Sequence, residues 1–331
     1  MSKAKYLIKR ISNMNFKQMF KIINEIHTKT KKNRLILFCD VVLCGFKYQA
    51  GYMDYKLFEM YNLNKNQRKT IITRGINNEI IKKYNNPEYI KYFSNKIEFN
   101  KKFNKYLLRD WMEVTKDNYD LFDEFTNIHS EILVKPVSES CGKGVEIIKV
   151  NKKNKKEIFN ELLESKRILV EEVAVQCDEI SKLHPSSINT LRIVTLNGKI
   201  VVAFLRIGNN KNVVDNFNHE GLVAPINIST GIIDYLEIDK KGNLYEKHPL
   251  TNESILWFQV PKWPRIKRFV ENICKEVPEV GYVGWDISLN KDPFLIEGNE
   301  FPGHDLYQLP PHRTDGLGLL PRFEEAMKGD E

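Results

Sequence analysis

The sequence predicts an α+β fold with largely antiparallel sheets. Three observations predict it: short β-rich runs begin abruptly near residue 131, Asn197-Gly198 is a two-residue hairpin signal, and helical stretches stand before and between the strands. Apolar residues make up 42% of 331 positions and aromatics 11%, enough for a buried core, so wholesale disorder is excluded. The length suits two domains or one large one.

Taken in order, residues 1–32 alternate basic and apolar positions (Tyr6, Leu7, Ile11, Met14, Phe16, Met19, Phe20, Ile23) and read as a basic amphipathic helix. Such a helix packs on its own domain or lies against an anionic membrane surface. The longest apolar stretch, residues 35–46, is interrupted by Asp40 and Gly45. A membrane-spanning helix needs about 20 apolar residues, so no span is expected. From 54 to about 125 the pattern stays helical, with aromatics at Phe58, Tyr61, Tyr84, Tyr89, Tyr92, Phe99, Phe103 and Trp111. Asn95 and Glu98 have capping-box spacing, which places Lys96 in the first turn of the helix that carries Phe99 and Phe103. Strands are then expected at 132–135, 145–150, 168–171, 191–196, 200–207, 232–238, 283–289 and 294–297, with helices at about 155–165 and 264–276.

The stretch 284–299 carries the clearest chemistry. With Lys291-Asp292 as a hairpin tip, Asp286 falls opposite Glu297, and alternation puts Asn299 on the same face. Val283, Trp285, Ile287 and Leu289 point the other way, toward a core. Opposed carboxylates repel, and a divalent cation relieves that. Asp, Glu and an Asn carbonyl are hard oxygen ligands suited to Mg²⁺. Upstream, Val134-Lys135-Pro136 runs into a small-residue loop containing Ser138, Ser140, Cys141, Gly142 and Gly144. Its backbone N–H groups suit phosphate, although an ordinary turn looks much the same and no P-loop pattern is present.

Five cysteines (39, 44, 141, 177, 274) without a CxxC pair fit neither a disulfide framework nor a zinc site, and suit a reducing cytoplasm. The histidines at 184, 219, 248, 304 and 312 lack metal-ligand spacing and read as loop or surface residues. The net charge of +8 suits a polyanionic partner such as an acidic lipid, a nucleotide or an acidic sugar, or reflects a lysine-rich composition. No tract resembles a zinc finger or an RNA-binding aromatic motif, so nucleic acid is not expected as a partner. MSKAKYLIKR at the start of the chain shows no secretory signal.

In order, these pieces resemble the ATP-grasp superfamily, and most of all its sugar-transfer-associated family, which is similar to alpha-L-glutamate ligase-like proteins. The resemblance rests on Phe-Ser-Asn-Lys96, on Val134-Lys135-Pro136 with its loop, on Leu169-Val-Glu-Glu172, and on Leu-His-Pro-Ser-Ser-Ile-Asn-Thr-Leu-Arg192-Ile-Val-Thr. Val-Asp215-Asn-Phe-Asn, Gly-Trp-Asp286-Ile and Ile-Glu297-Gly-Asn299 complete it, over roughly residues 35–315. It implies a helical region over 1–94 and an ATP-grasp domain over 95–331, with a small ATP-binding subdomain at 95–175 and a large Mg²⁺ and substrate subdomain at 176–331.

The resemblance further implies ATP and Mg²⁺ as cofactors. Lys96 and Lys135 contact phosphate, and the 138–144 loop closes over it. Adenine lies beside Glu171, Glu172 and Val173, and Asp178 or Glu179 holds the ribose. Arg192 stabilises the transferred phosphoryl group, and Asp286, Glu297 and Asn299 carry Mg²⁺. Strict pairing about Asn197-Gly198 puts Arg206 opposite Asn189, on the other face from Arg192, so without a bulge Arg192 alone reaches the phosphates. Asn189, Arg206, Asp215, Asn216, His219, His304 and Gln308 are candidates for the substrate side. The implied activity is ADP-forming amide ligation through an acyl-phosphate. The expected substrates are the carboxylate of an acidic sugar or sugar nucleotide and a small amine, in surface polysaccharide synthesis. An amino-acid ligase, a sugar kinase and a non-enzymatic polyanion-binding protein are the alternatives. A cytoplasmic setting, at the inner face of the membrane if the N-terminal helix docks there, is expected.

Overall fold

The computed structural model describes residues 15–137, 144–209 and 221–328. The chain divides into two compact units, residues 1–83 with 303–331, and residues 84–302. The chain returns at 303 to the N-terminal unit, where polar side chains of that segment bond its residues.

In the first unit, helix α1 (Phe16–Thr30) starts at Asn15, whose side chain accepts from the Gln18 N–H, and it buries Met19, Ile22, Ile23 and Ile26. Helix α2 (Arg34–Tyr48) is capped by Asn33 and buries Leu37, Val41, Cys44 and Tyr48, one stripe at helical spacing. Tyr55, Phe58, Met60 and Ile71 complete this core. His304 Nε2 lies 2.8 Å from Asp54 Oδ1. Gln308 takes the Ile72 and Leu319 N–H groups on Oε1 and donates to the Ile72 carbonyl. His304 Nε2 and both polar atoms of the Gln308 side chain thus help close this unit.

The second unit holds two antiparallel sheets. The smaller comprises β1 (Trp111–Glu113), β2 (Glu131–Lys135), β3 (Glu146–Lys149) and β4 (Leu169–Glu172), in the order β1-β4-β2-β3. The larger comprises β5 (Thr190–Leu196), β6 (Lys199–Ile207), β7 (Leu222–Pro225), β8 (Glu237–Ile238), β9 (Leu244–Tyr245), β10 (Tyr282–Leu289) and β11 (Pro293–Asn299), in the order β11-β10-β5-β6-β7-β8-β9. β1 interrupts a region expected to be helical throughout, because Trp111–Glu113 pairs with β4. The expected 232–238 strand shortens to two residues, with Ile232 making only an isolated bridge.

Asn197 and Gly198 both have positive φ, 50° and 72°, which lets the two-residue β5–β6 turn match the strand twist. Beyond it the pairing shifts by one between Val194 and Thr195, so Val201 is an extra residue in β6. That bulge reverses the parity of the rest of the strand. Arg206 pairs with Thr190, not Asn189, and lies on the same face as Arg192. The β10–β11 hairpin also departs from the simple form. Leu289 pairs with Pro293, which makes a three-residue tip, and Ile296 is an extra residue that restores Asp286 opposite Glu297.

One face of the large sheet carries the main core, including Ile193, Leu205, Val283, Trp285 and Ile287. Helix α3 (Lys96–Leu107) packs on it through Phe99 and Phe103, whose rings lie 4.7 Å apart, with Phe103 5.6 Å from Trp285. Gly298 permits this approach. A Cβ there would stand 3.0 Å from Phe93 and Phe99 and 3.1 Å from Trp285.

Candidate active site

The large sheet sets a row of charge across three strands: Glu297 on β11, Asp286 on β10 and Arg192 on β5. Arg192 grips Asp286 with both ends of its fork, Nε to Oδ1 at 2.5 Å and Nη2 to Oδ2 at 2.8 Å. Arg206 adds Nη1 at 3.1 Å from each oxygen. Burial alone would raise the Asp286 pKa, but the two arginines outweigh it and hold the group ionised, below its ordinary value. Glu297 goes the other way. Burial and the Asp286 charge push it up, against the fields of Arg192, Lys135 and Lys96. The pair therefore holds one negative charge firmly and a second weakly, a setting that an added cation would stabilise.

From the small sheet, Lys135 ends β2 and donates to Glu171 Oε2 at 2.6 Å. Glu171, in the middle of the sheet, is 1% exposed. It also receives Arg109 Nε at 3.0 Å and Asn100 Nδ2 at 2.8 Å. Burial would raise its pKa, yet Arg109 and Lys135 hold it far below the carboxylate range. Its backbone pairs on both sides, with Trp111 and Leu133. The Glu171 carboxylate is the counter-ion of Lys135, and Glu172 and Val173 stand at the strand end.

Lys96 opens α3 behind Asn95, whose side chain takes the Ile97 and Glu98 N–H groups. The Lys96 N–H donates to the Val137 carbonyl at 3.1 Å, which ties this helix start to the root of the small-residue loop. Lys96, Lys135, Asn100, Glu171 and Glu297 line one recess of about 30 Å³, with Phe93 and Gly298 among its walls. Residues from both sheets and a helix thus meet at one point.

Arg109 is the residue that sequence reasoning missed. Besides Glu171, it donates Nη1 to the Leu295 carbonyl at 2.6 Å and Nη2 to that of Ile296 at 3.2 Å. It therefore fixes the β11 bulge that aims Glu297. Asn100 was missed as well, and neither lies in a motif that distinguishes it from a surface residue.

Asn189, Asp178, Glu179 and Asn299 are not among the residues lining this recess. Asn189 is buried, and its amide ties Ile180, His184 and Gly208 together. Asp178 and Glu179 are exposed at the start of a short helix, Asp178–Ser181. Asn299 Oδ1 accepts from the Phe301 N–H at 2.8 Å. His184 and His248 lie in loops, as expected, but are buried, and His248 Nε2 meets the Gly208 carbonyl at 2.8 Å. Gly144, with φ of 69°, packs against Pro136. Ser138, Ser140, Gly142, Asp215, Asn216 and His219 lie outside the described residues. A separate set, Asp110, His129 and Glu172, brings ligand atoms within 4.8 Å, but His129 already pairs with Asp110, whose N–H donates to Glu172.

Lysines from the small sheet and a helix thus face opposed carboxylates and arginines of the large sheet, the arrangement of an α+β fold with its polar site between two antiparallel sheets. The sugar-transfer associated ATP-grasp family matches residues 75–326, and the chain belongs to that family, whose nucleotide is ATP. No curated protein matches it. Among solved structures it is similar to the ATP-grasp ligase PsnB complexed with minimal precursor, Mg and ADP, at 11% identity over 74% of this chain and 61% of that one, with TM-score 0.40. It is also similar to D-alanine–D-alanine ligase from Bacillus anthracis, at 16% identity over 72% and 66%, with TM-score 0.43. D-cycloserine synthetase DcsG gives 9% identity over 73% and 72%, with TM-score 0.43. The chain thus spans less than two thirds of the PsnB chain it is compared with.

Proposed function

We propose that the chain is an ATP- and Mg²⁺-dependent, ADP-forming ligase that joins the carboxylate of an acidic sugar or sugar nucleotide to a small amine, in surface polysaccharide synthesis. The observation that supports it most is the convergence of Lys96 and Lys135 on Glu297, beside Asp286 and its two arginines. Asp286, Glu297 and Asn299 are hard oxygen donors, and the unfavourable pairing of the two buried carboxylates fits a divalent cation. When bound, that ion would neutralise phosphate charge. Lys96 and Lys135 donate charge-assisted hydrogen bonds to the phosphates. Arg192, with Arg206 beside it, would balance charge that grows on the moving phosphoryl group.

In this reaction a carboxylate oxygen bonds the γ-phosphorus as its bond to ADP breaks. The amine then attacks the acyl carbon, phosphate leaves, and the nitrogen gives up a proton. The acidic acceptor is favoured by the +8 charge and by the sugar-transfer association of the family.

The test is ADP release from Mg-ATP with uronic acids and sugar nucleotides, each with an amine panel, followed by hydroxylamine trapping and mass spectrometry. A uronate hydroxamate and amide are expected. ADP without hydroxamate would indicate a kinase. An amide formed only with free amino acids as carboxylate donors would replace the sugar reading with a peptide-type ligase.

A further inference from the structure

Helix α2 is apolar on two opposite sides. At 100° per residue, Leu37, Val41, Cys44 and Tyr48 form the stripe that enters the core. Leu35, Cys39, Leu43 and Phe46, with Ile36 beside them, form a second stripe on the reverse side. That stripe faces outward: Leu35 is 70% exposed, Ile36 67%, and Leu43 and Phe46 54% each. It continues onto α1, where exposed Phe20 stacks on Phe38 of α2 with centroids 5.7 Å apart and planes 2° from parallel. A contiguous exposed apolar face of this kind marks an interaction surface.

The charge around it says what it meets. Described residues 15–34 hold six lysines and arginines and one acid, Glu25. Lys17 and Lys21 flank Phe20 on the outer side of α1. A second copy of the chain would oppose like charge to like charge here, whereas an acidic lipid surface satisfies both the apolar stripe and the basic rim. At 1.5 Å per residue the 15-residue α2 is about 22 Å long, short of the ~30 Å hydrocarbon core, and no described helix is long and apolar enough to cross a membrane. The surface therefore lies flat.

We propose that the outer face of α2, with Phe20 and the lysines of α1, docks this protein on an anionic phospholipid membrane. The agent is not α1 acting alone as an amphipathic anchor, since its apolar residues Met19, Ile22, Ile23 and Ile26 are buried in the core. The inference does not depend on the ligase reading.

The test is sedimentation of the full chain with phosphatidylcholine vesicles that contain or lack phosphatidylglycerol. Binding is expected only with the anionic lipid and should weaken as salt rises. Leu43→Glu with Phe46→Glu should weaken it by about tenfold or more, with the thermal midpoint unchanged, because both side chains face solvent. Lys17→Glu with Lys21→Glu should act in the same direction. Equal binding to neutral vesicles, binding indifferent to these substitutions, or none at all would overturn the proposal. A lipid-free dimer broken by the Leu43 and Phe46 substitutions would overturn it too, in favour of contact between copies.

Discussion

Glu237 offers the most direct measurable consequence of this architecture. It sits in β8 opposite Tyr245, is 0% exposed, and neither carboxyl oxygen finds a hydrogen-bond partner among the described residues. Burial pushes its pKa from an ordinary 4.5 up to about 8. The folded protein therefore holds this proton at neutral pH, while the unfolded chain has released it. Where the folded state binds more protons than the unfolded, stability falls as pH rises. The decline starts near the unfolded pKa and is complete above about 8. At 1.36 kcal/mol per unit, the loss across that window is roughly 4–5 kcal/mol, large against typical stabilities of about 5–15 kcal/mol.

Glu237→Gln keeps the shape and removes the titration. Thermal midpoints of both proteins should be measured by calorimetry from acid to mildly alkaline pH. The variant should lack the native protein's decline and become the more stable of the two above pH ~8, by several degrees. Other groups titrate in both proteins, so the difference between them is the readout. Parallel curves over the whole range would refute the argument.

Other substitutions test the site. Glu297→Gln should leave the fold intact, since it removes a group that Asp286 already disfavours, yet abolish ADP formation. Full activity would remove Glu297 from the metal set. Lys135→Ala should weaken ATP binding by calorimetry and also lower the thermal midpoint, because Glu171 loses a buried cation at 2.6 Å. With Arg109 still paired to Glu171, the cost should be smaller than the ~3–5 kcal/mol of a fully broken buried pair. An unchanged dissociation constant would make Lys135 structural only. Gly298→Ala should destabilise by about 1–3 kcal/mol through overpacking against Phe93, Phe99 and Trp285. It should also reduce ATP affinity by shifting α3 and Lys96, and an unaffected Kd would separate that helix from the nucleotide.

How much of this was legible in the sequence depends on distance along the chain. The turn at Asn197-Gly198 was legible because it needs only two residues with positive φ. Asp286 opposite Glu297 followed from alternation, although the assumed tip was one residue out and the Ile296 bulge restored the register. Arg206 did not follow. One extra residue, Val201, moves every later side chain of β6 to the other face, and nothing local marks it. β1 was hidden for a related reason: three residues make a strand only when β4, nearly sixty positions later, supplies the partner.

Glu171 shows where local reading stops. Its place at the end of a β run gave no sign that its charge is bound by Arg109, 62 residues upstream, and Lys135, 36 upstream. Arg109 then reaches across to the Leu295 and Ile296 carbonyls, the second belonging to the residue that the β11 bulge displaces. One guanidinium thus satisfies the buried carboxylate that aims Lys135 and the backbone that aims Glu297. The two bulges are what bring the charges together. Val201 turns Arg206 onto the face of Asp286, and Ile296 returns Glu297 to its place opposite. Remove either and one charged side chain would face the apolar core. Unpaired burial of that kind costs several kcal/mol, so the irregular strands are as much a condition of the fold as of the site.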